Sequence, residues 1–282
     1  MAPPVWAYPG GGAACGALAG PMRKTPPPGE APGLGETLDQ LIDDWWVFQL
    51  KGGHRFSTDD LVCAWRAAIA RPDAGRLLDL GSGIGSVGLY TLGLLRNDRA
   101  TLTGIEAQEV SHRLAKRSVV RNGLADRVTM LHGDLRDSTA LIGDAKFPLI
   151  TGSPPYIPVG KGLLSPHPQR AACRIELRGS IVDYCATAAK HLEAGGRFSF
   201  VMAKGDPRIE EGMDAAGLAP VEILDVTFRA GSPPLICVVV CAHADEVTGP
   251  PERVALTIRD EARQMTEAYR NLRLSMGFSV DG

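Results

Sequence analysis

The sequence predicts an α/β protein built on a doubly wound, mostly parallel seven-stranded sheet with an antiparallel strand near one edge. Three observations predict it. Short apolar runs alternate with stretches of helical period between Arg76 and Met202, a glycine-rich turn follows the first of those runs, and two late apolar runs are joined by a connection too short for a helical crossover.

Taken in chain order, residues 1–36 come first. They are nearly half Pro and Gly, with Gly10-Gly11-Gly12, Pro26-Pro27-Pro28 and no apolar period. Such a segment buries too little surface to offset its ordering entropy and is expected to stay disordered. A single folded domain is expected over 37–282, beginning with a helical lead-in (37–72). Leu38, Leu41 and Ile42 have helical spacing, and Ser57-Thr58-Asp59-Asp60 reads as the cap of a helix running through Leu61, Trp65 and Ile69 to Arg71-Pro72. Apolar runs at Arg76–Leu80, Thr101–Ile105, Arg127–Leu131, Phe147–Thr151 and Arg197–Met202 then read as buried parallel strands. The stretch from Val110 to Val120, closed by Asn122-Gly123, reads as one of their crossover helices. Val221–Phe228 and Leu235–Cys241 are separated only by Arg229-Ala230-Gly231-Ser232-Pro233-Pro234, which requires antiparallel neighbours. Residues 248–282 form a C-terminal extension.

At 282 residues, with 44% apolar and 22% charged residues, the chain can build one large core. No apolar run approaches the ~20 residues that cross a bilayer, and the start lacks a basic segment followed by an apolar one, so no membrane partner and a cytoplasmic location are expected. The six cysteines contain no C-x-x-C pair, which argues against a zinc site or disulfide framework, and they read as small buried apolar residues. No metal is expected. The net charge of -2 supplies no global attraction to nucleic acid.

The first chemical motif is Leu77-Leu78-Asp79-Leu80-Gly81-Ser82-Gly83-Ile84-Gly85, a strand that enters a glycine turn and then a helix. Gly83-Ile84-Gly85-Ser86-Val87-Gly88 also matches G-x-G-x-x-G, with Glu106 at a ribose-binding distance further on, so a dinucleotide site has to be weighed. Asp79 argues against it: a carboxylate just before the turn would repel a pyrophosphate but attract a cationic amino acid. S-adenosylmethionine carries an ammonium and a sulfonium. Glu106, beside Ala107, is suited to accept from both ribose hydroxyls, and Asp134, beside Leu135, from an adenine amine. Each acid alone could cap a turn or helix; three at successive strand ends describe one pocket.

The second motif, Gly152-Ser153-Pro154-Pro155-Tyr156, follows the fourth of these strands. Paired prolines fix two φ angles and remove two donors, so the carbonyls of Ser153 and Pro154 can serve as pre-set acceptors. With the Ser153 hydroxyl they suit an exocyclic amine whose lone pair must face a methyl donor, while Tyr156 stacks on a planar ring. On its own such a tetrapeptide is more often a simple turn; placed at a strand end beside the first pocket, it reads as catalytic.

The D-x-G-x-G turn followed by S-P-P-Y resembles the amino-methylating class I methyltransferases, which use S-adenosylmethionine to modify adenine N6, cytosine N4, guanine N2 or a glutamine side chain. Thr58-Asp59 with Ala64-Trp65, and the tail Leu256-Thr257-Ile258 with Thr266-Glu267-Ala268-Tyr269, bring it nearest to bacterial tRNA(Val) adenine-N6 methyltransferases. The resemblance covers about residues 50 to 275. It implies that Ser153, Pro154, Pro155 and Tyr156 are catalytic and that Asp79, Gly81, Ser82, Gly83, Gly85, Glu106, Ala107, Asp134, Leu135 and Ser153 hold the cofactor. The usual Asn of the tetrapeptide is Ser153 here, and the acid usual a few positions earlier is Pro148; serine occurs in some cytosine-N4 enzymes.

Substrate contacts are expected from Lys161, Arg170 and Arg174, which lie with His167 and Arg178 in a basic stretch after the tetrapeptide and suit an RNA substrate, tRNA above all. Arg55 is a further candidate for a phosphate or the cofactor carboxylate. Arg113, Lys116, Arg117 and Arg121 read as the outer face of a helix. Three classes of function follow: an RNA amine methyltransferase, a methyltransferase of protein glutamine or a small molecule, and an NAD-dependent oxidoreductase, for which the second half offers no hydride-site signature.

Overall fold

The chain runs β1 (Glu36–Ile42), β2 (Trp45–Leu50), α1 (Thr58–Ala70), β3 (Arg76–Leu80), α2 (Ser86–Leu94), β4 (Thr101–Glu106), α3 (Glu109–Arg121), β5 (Val128–His132), α4 (Ser138–Ile142), β6 (Phe147–Gly152), α5 (Pro168–Arg174), α6 (Ile181–His191), β7 (Leu192–Ala203), α7 (Arg208–Ala215), β8 (Leu218–Thr227), β9 (Ile236–His243), β10 (Glu252–Thr257) and α8 (Glu267–Ser275). The computed structural model describes residues 25–158, 160 and 167–278.

Eight strands form one sheet in the order β10-β8-β9-β7-β6-β3-β4-β5, in which β9 alone is antiparallel to its neighbours. This is the doubly wound fold expected, with one strand more. Val254, Leu256 and Ile258 alternate along the presumed tail, and β10 joins the sheet edge parallel to β8. Period-two alternation sorts each central strand between two cores. Leu77, Leu149, Val201 and Val238 enter the core beneath α1, α2 and α3, whereas Leu78, Ile150, Met202 and Val239 enter the core beneath α6 and α7.

The expected helical lead-in is helical only from Thr58. Residues 36–50 form an antiparallel hairpin that turns at Asp43, which takes a positive φ of 46°. Helical spacing of three apolar residues lost to a tertiary cause. α3 offers Ser118 and Asn122 one turn apart, and their side chains stand in for a neighbouring strand. The Trp46 N–H donates to Asn122 Oδ1 (2.8 Å), Asn122 Nδ2 donates to the Trp46 carbonyl (2.8 Å), and the Phe48 N–H donates to Ser118 Oγ (3.0 Å).

The expectation of disorder over 1–36 lies outside the described residues for 1–24, but 25–36 are held. Arg117 pairs with Glu30 and Glu36 while its guanidinium lies 4.1 Å from the Phe48 ring centre, and Arg121 donates to the carbonyls of Glu30 and Pro27. Two of the cations expected on an outer face therefore clamp this segment to α3.

Strand order reverses between β3 and β6: β3, β4 and β5 step outward one way, and β6 and β7 return on the other side. The crevice outside the carboxyl ends of β3 and β6 is where ligands bind in such sheets.

Candidate active site

Helix α1 starts with a capping box in which Ser57 and Asp60 satisfy one another's backbone amides, and this sets Asp60 facing the sheet. Beyond it, β3 delivers Asp79 to the crevice. Its carboxylate accepts from Thr151 Oγ1 on β6 (2.7 Å) and from the Gly88 N–H (3.0 Å), joining the two central strands to α2. Burial pushes its pKa up to about 7 against these two bonds. Asp79 thus braces the glycine turn from below and also borders the cleft above it.

The turn itself needs its glycines for different reasons. Gly81 (φ +58°) has no room for a Cβ, which would stand 1.8 Å from the Tyr184 hydroxyl, and a Cβ on Gly152 would stand 2.8 Å from Cδ1 of the same ring. One buried tyrosine from α6 is thereby wedged beneath both strand ends. Gly83 (φ +57°) has nothing within 4 Å of an added Cβ; its open side is the cleft. Gly85 (φ +88°) caps α2 and does not border the cleft. Glu106, at the end of β4, accepts from the Gly83 N–H (2.8 Å) and the Gln108 N–H (2.6 Å), and burial raises its pKa.

Two adjoining chambers result. The first is bordered by Asp79, Gly81, Ser82, Gly83, Glu106, Ala107, Leu135 and Pro155. The second is bordered by Pro154, Tyr156, Arg55, Phe56, Arg170 and Arg174. Ser153, Asp60, His54 and Cys173 border both. The Ser153 hydroxyl makes no hydrogen bond among the described residues. The Tyr156 hydroxyl donates to Asp59 (2.9 Å), and burial raises its pKa well above normal with the Asp59 charge adding to it. Its ring is thus pinned at the tip, and its carbonyl accepts from Arg208 (3.2 Å).

Not every candidate gathers here. Asp134 caps the turn Leu135–Asp137 and is paired with Arg136, whose hydrogen bonds hold its pKa below the usual range; Gly133 and Leu135 border the cleft in its place. Arg55 is ion-paired with Asp39 at 2.9 Å. Lys161 lies outside the described residues. Asp60, His54, Gln169 and Tyr184 border the chambers without having been singled out, and Arg178 of the basic stretch borders the first. For Asp60 the sequence held a signal, the capping box, but that signal names only its local role. Gln169 is buried, accepts from the His54 N–H (2.6 Å) and donates to Ser111 (3.2 Å), and so ties α5 to the loop before α1.

The first chamber fits S-adenosylmethionine by its donor set. Asp79 and Glu106 present carboxylates to a group bearing an ammonium, a sulfonium and a diol, and they would repel a pyrophosphate. Burial pushes the Cys173 thiol up to about 12, which argues against a thiolate nucleophile. Among the described residues no group of three or more His, Cys, Asp or Glu could hold a metal ion, and no helix is long and apolar enough to cross a membrane.

The fold is that of the class I methyltransferases, and the chain spans a third or less of the length of the curated relatives it matches. The chain belongs to the family described as methyltransferase small domain, which matches residues 65–214. It is 36% identical over 100 residues to the release factor glutamine methyltransferase of Geobacter sulfurreducens, a match spanning 36% of this chain and 33% of that one. It is 30% identical over 88 residues to the bifunctional methyltransferase of Rickettsia bellii, spanning 31% of this chain and 15% of that one. In fold it is similar to the crystal structure of a predicted O-methyltransferase from Agrobacterium tumefaciens, with 19% identity, a TM-score of 0.54, and coverage of 78% of this chain and 98% of that chain.

Proposed function

We propose that this chain methylates a planar nitrogen, the N6 amine of an adenine in tRNA, with S-adenosylmethionine held in the first chamber. The observation that carries the reading is Ser153, whose hydroxyl, without a hydrogen bond among the described residues, stands where the two chambers meet. Bound in the first chamber, the cofactor supplies an electrophilic methyl group. Asp79 holds the ammonium end, Glu106 the ribose diol, and the open face of Gly83 lets the ligand lie against the backbone. Ser153 and the carbonyl of Pro154 accept from the amine and so aim its lone pair, and the pinned Tyr156 ring stacks on the base. Arg170 and Arg174, on the wall of the second chamber, meet the phosphates that flank a base turned out of its stack.

A second reading, transfer to a glutamine side-chain amide, is favoured by the likeness to the Geobacter sulfurreducens enzyme over 100 residues. Both targets present a planar N–H₂ group to the same acceptors. The experiment supplies S-adenosylmethionine labelled in its methyl group, with bulk tRNA or purified peptide-release factor as acceptor, followed by digestion and mass spectrometry. N6-methyladenosine in the tRNA is the expected product. Label on release-factor glutamine would establish the second reading, and label on carbon or oxygen would overturn both.

A further inference from the structure

Among the described residues, Asp60 is the one carboxyl group that borders both chambers, and the reading above gives it no role. It is 4% exposed. One oxygen, Oδ2, accepts from the Ser57 N–H (3.2 Å) and the Ser86 hydroxyl (3.0 Å); Oδ1 has no hydrogen bond among the described residues. Oδ1 is not one of the fully buried unpaired atoms; on a residue that borders both chambers, it is left available to a ligand. Like Ser153, it stands on the common wall.

We propose that Asp60 takes the proton that the substrate nitrogen gives up as it is methylated, an inference that rests on the planar-nitrogen reading above. The balance is complete with groups on hand. The nitrogen lone pair forms the new C–N bond as the S–CH₃ bond breaks, the bonding pair staying on sulfur as a thioether. The nitrogen, now positive, passes an N–H proton to Asp60, leaving a neutral N-methyl product and a neutral carboxylic acid. Ser153 accepts from one amine hydrogen, and Asp60 shares the other with the Pro154 carbonyl, which keeps the lone pair along the remaining direction.

The surroundings favour this task. Burial pushes the Asp60 pKa up to about 7, with the neighbouring Asp59 charge adding to it and the bonds from Ser86 and Ser57 opposing it. An acceptor poised near neutrality is ionised often enough to accept and basic enough to keep the proton. The titratable groups facing it are Asp59 and Cys63 on its own helix, Tyr90 on α2, Asp79 on β3, Tyr156 and Cys173 across the second chamber, and His54. Cys63, Cys173, Tyr90 and Tyr156 are held neutral by burial, and burial holds the His54 pKa below its usual value.

The test is single-turnover methylation under saturating S-adenosylmethionine, using whichever of bulk tRNA or release factor the parent labels. In Asp60→Asn, which keeps shape and an acceptor oxygen, the rate should fall by about 10²–10⁴-fold, the range for a lost general base. Affinity for S-adenosylhomocysteine, by calorimetry, should stay within about threefold. The parent rate should rise with pH through about 7. Ser86→Ala, by removing a bond that favours the ionised form, should move that rise to higher pH. Parallel loss of cofactor affinity and rate in Asp60→Asn would make Asp60 a cofactor ligand and overturn the proposal. So would a parent pH profile that Ser86→Ala leaves in place, a readout that serves even where Asp60→Asn fails to fold. Failure of the parent to methylate either acceptor would instead remove the planar-nitrogen reading, and this inference with it.

Discussion

Removing the side chain of Asn122 should loosen the β1–β2 hairpin without disturbing the sheet. Asn122 makes three bonds of 2.8 Å, to the N–H and the carbonyl of Trp46 and to the Ser118 carbonyl. The last goes to a carbonyl that keeps the Asn122 N–H as a donor (3.1 Å). The other two are not readily replaced, because Trp46 is only 5% exposed. Leaving a buried donor and a buried acceptor unpaired costs about 1–3 kcal/mol each, so Asn122→Ala should destabilise hairpin docking by about 2–6 kcal/mol. Native-state hydrogen exchange reads this directly. Amides over Glu36–Leu50 should exchange about 30- to 20,000-fold faster, at 1.4 kcal/mol per decade, while those of β3, β4 and β6 hardly change. The loop after the hairpin forms one wall of the second chamber, so substrate affinity should fall while S-adenosylhomocysteine affinity holds. Unchanged exchange over Glu36–Leu50 would refute the reasoning, since it would mean that α3 does not secure the hairpin.

Gly81→Ala and Gly83→Ala should part company: the first collides with Tyr184 and should cost about 2–5 kcal/mol of stability from overpacking and left-handed strain, whereas the second should cost about 1–2 kcal/mol from strain alone but weaken cofactor binding, as thermal melts and calorimetry will show. Tyr156→Phe keeps the ring and loses the bond to Asp59, so turnover should drop by less than the ~1–3 kcal/mol lost in binding by Tyr156→Ala, with cofactor affinity unchanged in both; equal rates in parent and Tyr156→Ala would sink the stacking role. Asp79 titrates near 7 in the folded chain and near 4 when unfolded, so from about pH 4 to 7 only the folded state keeps the proton and the stability this carboxyl contributes declines as pH rises. In urea titrations the stability of Asp79→Asn relative to the parent should therefore improve across that window, and an unchanging difference would contradict the buried-acid account.

The strands that carry the site were legible because burial on both faces leaves near-continuous apolar runs, as in Leu77–Leu80 and Phe147–Thr151, and the motifs at their ends announced the crevice. β10 was not read as a strand: Val254, Leu256 and Ile258 alternate, but strand character there depends on an edge that only the assembled sheet provides. The hairpin was not, because Leu38, Leu41 and Ile42 satisfy a helical period while the deciding groups, Ser118 and Asn122, lie about 70 residues away on α3. Asp134 went the other way: placed like a ligand after its strand, it is taken by Arg136, two residues on. Asp60 could be read as a cap but not as part of a chamber wall, because that depends on how α1 meets α2 and the S-P-P-Y turn.

The excursion between Ile157 and Ile175 is zipped at its base: the Ile157 N–H donates to the Arg174 carbonyl (3.0 Å), and the Glu176 N–H donates to the Ile157 carbonyl (3.1 Å). From outside, Arg208 at the head of α7 fastens both stems, reaching the Tyr156 carbonyl on one and the Glu176 carboxylate on the other. A loop whose ends are closed by its own stems can lengthen cheaply, since each doubling adds only about 0.6 kcal/mol of closure entropy. Insertions or exchanges between Pro158 and Gln169 should therefore leave the tetrapeptide's geometry intact, which makes this segment the natural place to graft recognition of a different acceptor onto an unchanged transfer centre.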